Sequence, residues 1–380
     1  MHRTLVHRLA PFALGACAVL LVGGCGGGGG AGTAAGTGEP PQASPDSTPA
    51  GNPTGTCAVP AAAQAVDSSQ PSRVVGNGSA ASCTSDAVVD AVAQGGVITF
   101  DCGAAPVTIT MTATAKVFND KPDVVLDGGG KVTLSGAGVR RILYQNTCDP
   151  AQVWTSSRCD LQDTPRLTVQ NLTLADGDSS AQTYGRSDVY GGGAIYARGG
   201  RLKIVNSRFL RNRCESTGPD LGGAAVRAVG MPSSAPVYVV NSRFGGTALD
   251  GNQCANGASL SGLGASFTVI NSVFSHNQAT GRGANPARAG TPGGGSGGAI
   301  YQDGNGIHLS LCGSHLHDNR AHEGGGGIFF VSNDRSGTLS ITDSLLETNV
   351  SAGFETAGLP GIFMLAASGQ PVVTNSTLRP

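Results

Sequence analysis

Leu202-Lys-Ile204-Val-Asn206-Ser-Arg-Phe209-Leu-Arg-Asn212 holds two short alternating runs, each closed by an asparagine. Alternation of apolar and other residues is the mark of a strand with one buried face. The first run recurs as Leu167-Thr-Val169-Gln-Asn171, Val237-Tyr-Val239-Val-Asn241, Phe267-Thr-Val269-Ile-Asn271, Leu309-Ser-Leu311-Cys-Gly313, Leu339-Ser-Ile341-Thr-Asp343 and Pro371-Val-Val373-Thr-Asn375. The seven copies are spaced 35, 35, 30, 42, 30 and 32 residues apart, and a serine usually follows the closing residue. The second run recurs as Leu249-Asp-Gly-Asn252, Phe274-Ser-His-Asn277, Leu316-His-Asp-Asn319 and Leu346-Glu-Thr-Asn349. A third element precedes the first: Gly192-Gly-Ala-Ile195-Tyr196, Gly222-Gly-Ala-Ala-Val226, Gly297-Gly-Ala-Ile300-Tyr301 and Gly326-Gly-Ile328-Phe329.

Three short strands per repeat, with Gly or Asn at the corners and no helical pattern between, wind as a coil whose equivalent strands pair from turn to turn. The expected fold is all-β: a right-handed, single-stranded parallel β-helix. Asn at one corner of every coil can pass amide hydrogen bonds along the stack, and Gly or Asn supplies the positive φ of a sharp corner. A stack needs its ends covered. Thr84 through Gln94 reads as a short N-terminal capping helix, with Val88, Val89 and Val92 apolar and Gly95-Gly96 ending it. No comparable lid follows Asn375.

Composition narrows the functions. The chain of 380 residues has net charge −1, 13% charged and 5% aromatic residues, and 60 Gly. Such a balance offers nucleic acid no field, so no nucleic-acid partner is expected. Gly has no three-residue period, which excludes collagen.

The first 24 residues read as an export signal: Arg3 and Arg8, then the apolar run Phe12 to Val22, too short to span a bilayer. Val22-Gly23-Gly24-Cys25 resembles the bacterial lipoprotein cleavage motif, which implies cleavage before Cys25 and a lipid on its sulfur. Gly26 after that Cys points to the outer membrane; plain secretion is the alternative. Removing the signal leaves 22 Lys+Arg (24 less Arg3 and Arg8) against 25 Asp+Glu. Residues 25–72, rich in Gly, Ala, Pro, Ser and Thr, read as a lipid-anchored flexible linker. Residues 73–123 then form the cap and first strands, and 124–380 the repeats.

The Gly-Gly-Ala-Ile and Phe-x-x-Asn pairing resembles the repeats of chlamydial polymorphic outer-membrane proteins and the broader pectate-lyase-like β-helix superfamily. That resemblance implies either a surface protein or a polysaccharide lyase or glycoside hydrolase. The autotransporter barrel of the chlamydial proteins has no counterpart in this sequence.

Beyond Cys25 lie eight cysteines, an even number suited to disulfides in an exported chain. Cys214 and Cys254 each follow a repeat Asn by two residues and so share one slot on adjacent coils. Cys148 and Cys159 bracket a loop, Cys83 and Cys102 flank the capping helix, and Cys57 and Cys312 have no evident partner. The alignment also stacks Arg211, His276, Asp318 and Thr348, beside Leu210, Ser275, His317 and Glu347, with His315, His322 and Glu323 nearby. Imidazole and carboxylate so placed suit metal binding or acid–base work, and a solvated polar face equally. No dedicated metal motif is present, so no metal or other cofactor is expected. The segment Leu174–Tyr190 carries Asp176, Asp178, Arg186 and Asp188, oxygen ligands of the kind Ca²⁺ takes, and Asx-turn residues as well. These residues, with His276 and Asp318, are the weak catalytic candidates. Arg140 and Arg141 have no repeat-aligned carboxylate. The first expectation is a lipid-anchored scaffold or binding module, adhesive or carbohydrate-binding, with a polysaccharide or surface protein as partner. An enzyme of the pectate-lyase-like superfamily is the alternative, and a structural spacer a third.

Overall fold

The computed structural model describes residues 50–181, 190–232 and 235–380. Cys25, the signal segment, Arg186 and Asp188 lie outside the described residues. From Arg73 onward the chain builds stacked parallel strands, a parallel β-helix closed at its N-terminal end by one helix, α1 (Ser85–Gln94). Thr84 caps α1 by accepting a hydrogen bond from the Ala87 N–H, and Gly95 leaves it at φ 70°. Val88, Ala91 and Val92 are buried in the main core, so α1 shields apolar surface that an open first coil would expose.

Each coil passes through three faces. The first sheet has eight strands, among them Ile195–Arg198, Val226–Val229, Leu260–Leu263, Ile300–Gly304, Ile328–Ser332 and Ile362–Leu365. The second and third faces belong to one 17-stranded sheet, continuous through Asp123–Ser135 and Arg166–Ala175, and are named separately as the second and third sheets; the second includes Arg201–Val205, Val237–Val240, Phe267–Ile270, His308–Cys312 and Thr338–Thr342. The third includes Arg208–Leu210, Arg243–Gly245, Val273–Ser275, His315–His317 and Leu345–Glu347. Two-residue strands at Gln253–Cys254, Gln278–Ala279, Arg320–Ala321 and Val350–Ser351 add a short fourth sheet that the repeat pattern did not reveal.

The corners explain the sequence pattern. Between the second and third sheets stand Asn171, Asn206, Asn241, Asn271, Gly313, Asp343 and Asn375, all at positive φ, where Asn and Gly bear the least steric cost. The serine after the corner is buried. Its hydroxyl oxygen accepts from the backbone N–H of the equivalent serine one coil earlier, from Ser207→Ser242 to Ser344→Ser376, at 3.0–3.2 Å. At the next corner Asn212, Asn252, Asn277, Asn319 and Asn349 form a buried amide ladder, each Nδ2 donating to the next Oδ1 at 2.8–3.0 Å. Inside, Phe209, Phe244 and Phe274 stack with centroids 4.7 Å apart.

Two expectations need correcting. Leu249 is not the counterpart of Phe209: Phe244 pairs with Phe209 and Phe274, and Leu249 is 86% exposed on an insertion that precedes Asn252. Nor does the linker extend to residue 72. Residues 50–72 run back along the outside of the second sheet as a strap. Asn52 donates to the Gly313 carbonyl (2.8 Å) and Cys57 is bonded to Cys312. Val59 and Ala63 pack on Val205, Val240 and Ile270. Val66 N–H donates to Gln170, and Ser68 Oγ to Asp127 Oδ2 at 2.6 Å. The physical reason is that the outward slot before each Asn corner is apolar in three successive coils and needs a cover.

Candidate functional site

The coil register brings His276, His315, His317, Asp318 and Glu347 to one patch on the outside of the third sheet. Strand pairing puts His317 between Ser275 and Glu347, and His315 between Val273 and Leu345. His276 and Asp318 occupy successive corners at φ 59° and 54°, with Arg211 and Thr348 in the same column at 55° and 53°. A positive φ at such residues turns the side chain out of the sheet at a local energetic cost. Asp318 Oδ2 lies 2.8 Å from His317 Nδ1 and 3.9 Å from His276 Nε2, and Glu347 Oε1 lies 3.1 Å from His315 Nε2. The His317 hydrogen bond holds the Asp318 carboxyl below the usual range; burial, then neighbouring His317, pulls His315 down despite Glu347.

The two described acids of the Leu174–Tyr190 segment are committed to structure. Both Asp176 oxygens accept from Arg211, at 2.8 and 3.1 Å, and Arg211 also reaches Asp250. Asp178 Oδ1 accepts from the N–H and hydroxyl of Ser180. A cation there would have to displace the Arg211 guanidinium from Asp176. Arg141 is buried against Tyr144 and Tyr196, its guanidinium carbon 5.4 and 4.9 Å from their ring centroids. The cysteines join as Cys57–Cys312, Cys83–Cys102, Cys148–Cys159 and Cys214–Cys254.

A constellation that the sequence reading missed lies on the outer face of the first sheet. Its outward column runs Tyr144, Tyr196, Arg227, Ser261, Tyr301, Phe329, Phe363. Loops from the neighbouring corner overhang it. Tyr301 Oη lies 3.0 Å from Asp220 Oδ1 and 3.4 Å from Asp303 Oδ2, and Asn285 Nδ2 donates to the same two oxygens at 2.5 and 3.4 Å. Asn333 donates to the other Asp303 oxygen. Burial, joined by the Asp220 charge, pushes the Asp303 carboxyl up against the Asn333 bond. Arg227, 3% exposed, is pulled down by burial while Tyr196, Asp220, Tyr301 and Glu215 oppose the shift. Beside the acid pair the rings of Tyr301, Phe329 and Phe363 stack at 4.9 and 5.0 Å, and Phe354 meets Phe363 edge-on. Asp220 and Asp303 are 83 positions apart, and a loop of one coil reaches over a strand two coils later. The one local signal was an acid at Asp303, where the paired strands carry Leu263 and Val331.

Among the described residues, the groups of three donors with all ligand atoms within 4.8 Å are Cys57, Cys312, Asp343 and Cys148, Cys159, Asp160. Both contain a disulfide rather than thiolates. No described helix is long and apolar enough to cross a membrane. Neither a protein-family profile, nor a curated protein, nor a solved structure matches the chain.

Proposed function

We propose that the protein is an envelope-tethered β-helix that binds a neutral polysaccharide along the outer face of its first sheet. The observation that carries this reading is the Asp220–Asp303–Asn285 cluster set beside the Tyr301–Phe329–Phe363 stack, in which Tyr301 and Phe329 are buried and the half-buried Phe363 is the ring left to meet a sugar. Aromatic rings take the apolar faces of sugars, and a few convergent polar groups fix the hydroxyls. A net charge of −1 and an acid pair at the centre disfavour a polyanion. The four disulfides suit an exported chain. The basic-apolar start and the Cys25 motif support a lipid tether in the outer membrane. The likeness of the repeats to pectate-lyase-like proteins favours a carbohydrate ligand over a protein one.

The test is a panel of neutral and uronic-acid polysaccharides scored for retention and for cleavage. Retention of a neutral polymer, weakened in Phe363→Ala and in Asp303→Asn, is the expected result. No retention, or retention indifferent to both changes, overturns the reading. The acid pair also favours a second reading, glycoside hydrolysis. Two carboxyl groups within about 6 Å, one of them with its proton held more tightly by burial, resemble the pair that glycosidic cleavage uses. Release of reducing ends that stops in Asp303→Asn and Asp220→Asn identifies a hydrolase; release of unsaturated products identifies a lyase.

A further inference from the structure

The strap is fastened at a point that polysaccharide binding does not use. Cys57 is bonded to Cys312, and the Asp343 corner of the following coil stands beside them. Both sulfurs and an Asp343 carboxylate oxygen lie within 4.8 Å of one another, with Asp343 Oδ2 3.9 Å from Cys57 Sγ. Asp343 is the one acid in a column of corners that otherwise carries Asn or Gly. Among the described residues, no cation and no N–H or O–H group reaches its carboxylate. The other group of this composition, Cys148, Cys159 and Asp160, differs: Arg198 Nε already holds Asp160 Oδ1 at 2.9 Å.

Two features let the Cys57–Cys312 bond open while its partners stay in place. It is half-buried, whereas Cys83, Cys102, Cys214 and Cys254 are all buried, so a reductant in solution reaches it ahead of those. The backbone of Cys57 is also held independently of its sulfur. Its N–H donates to Asn271 Oδ1 at 3.0 Å, and its carbonyl accepts from Asn271 Nδ2 at 2.9 Å. A dithiol opens the bond by exchange: it gives two electrons and two protons to the Cys57 and Cys312 sulfurs and itself closes to a disulfide.

We propose that Cys57 and Cys312, once reduced, form with Asp343 a site for one Zn²⁺, which then fastens the strap in place of the disulfide. Two thiolates and a carboxylate select Zn²⁺ over Ca²⁺ or Mg²⁺, which take oxygen. Sulfurs that share a tetrahedral Zn²⁺ stand about 3.8 Å apart, and a sulfur and a carboxylate oxygen about 3.6 Å. The second spacing is nearly present, and side-chain rotation between Cα atoms 5.9 Å apart supplies the first. The two thiol protons pass to solvent as Zn²⁺ binds, so affinity rises with pH. The site is independent of the polysaccharide reading and stands or falls without it.

The repeat supplies substitutions that the fold accepts. Asp343→Asn restores the residue of the other corners at φ 48°, and Cys312→Thr carries the residue of the next coil, Thr342. Untagged, metal-free protein is reduced with a water-soluble phosphine; this ends as its oxide with oxygen from water, whose two protons go to the sulfurs. Zn²⁺ uptake is measured before and after, and Co²⁺ serves as the spectroscopic probe. One equivalent should bind after reduction and none before, and the Co²⁺ form should show thiolate-to-metal charge transfer. Cys57→Ser with Cys312→Thr should abolish uptake, and Cys148→Ser with Cys159→Ser should leave it. Asp343→Asn should weaken binding by about 10-fold or more, at least the cost of losing an outer-shell partner. Zn²⁺ should slow proteolysis of residues 50–72 in the reduced protein. A cooperative thermal melt shows that each variant folds. The proposal is overturned if the pair stays oxidised in the folded protein or if the reduced protein takes up no Zn²⁺. It is equally overturned if uptake survives the Cys57 and Cys312 substitutions, if it is lost with Cys148 and Cys159 instead, or if Zn²⁺ leaves the reduced strap as cleavable as before.

Discussion

Replacing Asn277 by Ala should cost more than any exposed substitution in the molecule, and the amide ladder sets the size of the loss. Asn277 is fully buried. Its Oδ1 accepts from the Asn252 backbone N–H at 3.2 Å and from Asn252 Nδ2 at 2.8 Å. Its Nδ2 donates to the Phe244 carbonyl at 3.0 Å and to Asn319 Oδ1 at 2.9 Å. Truncation leaves the Asn252 N–H without that acceptor in a site water does not reach, at about 1–3 kcal/mol. The Phe244 carbonyl and Asn319 Oδ1 each lose a donor, at about 1 kcal/mol apiece. Asn252 Nδ2 keeps its bond to the Phe209 carbonyl and adds little. The expected destabilisation is about 3–5 kcal/mol, against about 0.5 kcal/mol or less for Ser310→Ala on the outward face of the second sheet. Asn277→Asp should be at least as costly, since a carboxylate presents lone pairs to the oxygens of Phe244 and Asn319. Urea denaturation of both Asn277 variants with disulfides intact measures the shift. An Asn277→Ala midpoint indistinguishable from that of Ser310→Ala would refute the ladder as a source of stability.

The remaining predictions concern the strap and the acid pair. The Cys57–Cys312 bond spans a sequence separation of 255; chain entropy for such a loop, shortened by the three disulfides inside it, is about 5 kcal/mol. Cys57→Ala with Cys312→Ala should lower stability by up to that amount and expose residues 50–72 to limited proteolysis first; an uncut strap and an unchanged midpoint would count against its role. Asp303 has its carboxyl raised by burial and by Asp220, so the folded state holds its proton more tightly than the unfolded chain and stability falls as pH rises through that window. Asp303→Asn should therefore be the more stable protein at pH 7, with the gain vanishing below about pH 3, where the wild-type carboxyl is protonated in both states; a gain independent of pH would show that charge is not its cause.

Much of the fold is legible because the coil corners impose residue types. Positive φ demands Asn, Gly or Asp at one corner, and a ladder of amides demands Asn at the next; those demands fix the register that stacks His276 with Asp318. Leu249 shows the limit. An apolar residue three places before Asn252 satisfies the pattern, yet the strand residue is Phe244 and the extra chain was inserted after it. Spacing to one corner cannot say on which side of a strand an insertion falls.

Composition misled at residues 50–72 for a physical reason. Small residues there permit close approach rather than freedom: a methyl group at Gly51 would come within 2.7 Å of Asn241 Cα and the Asn271 carbonyl oxygen. The readable signal was on the other partner. Val205, Val240 and Ile270 occupy an outward slot where a solvent-facing strand would carry polar side chains. The acid pair of the first sheet left no such trace, because Asp220 reaches Asp303 through a loop that the repeat pattern does not describe.

The strap also decides where tension enters the molecule. In a solenoid held only by its first residues, a pull on the N-terminus loads the cap first and peels coils off one after another. Here a pull on the chain ahead of Asn52 meets Cys57 and crosses directly to Cys312, in the fifth of the seven repeats. Everything between those two cysteines is bypassed by a covalent shunt. If the opposing load acts beyond Cys312, the force travels through only the last coils, while the capping helix and the overhung face of the first sheet before that point carry none of it. A protein built this way can be tugged without its middle being stretched.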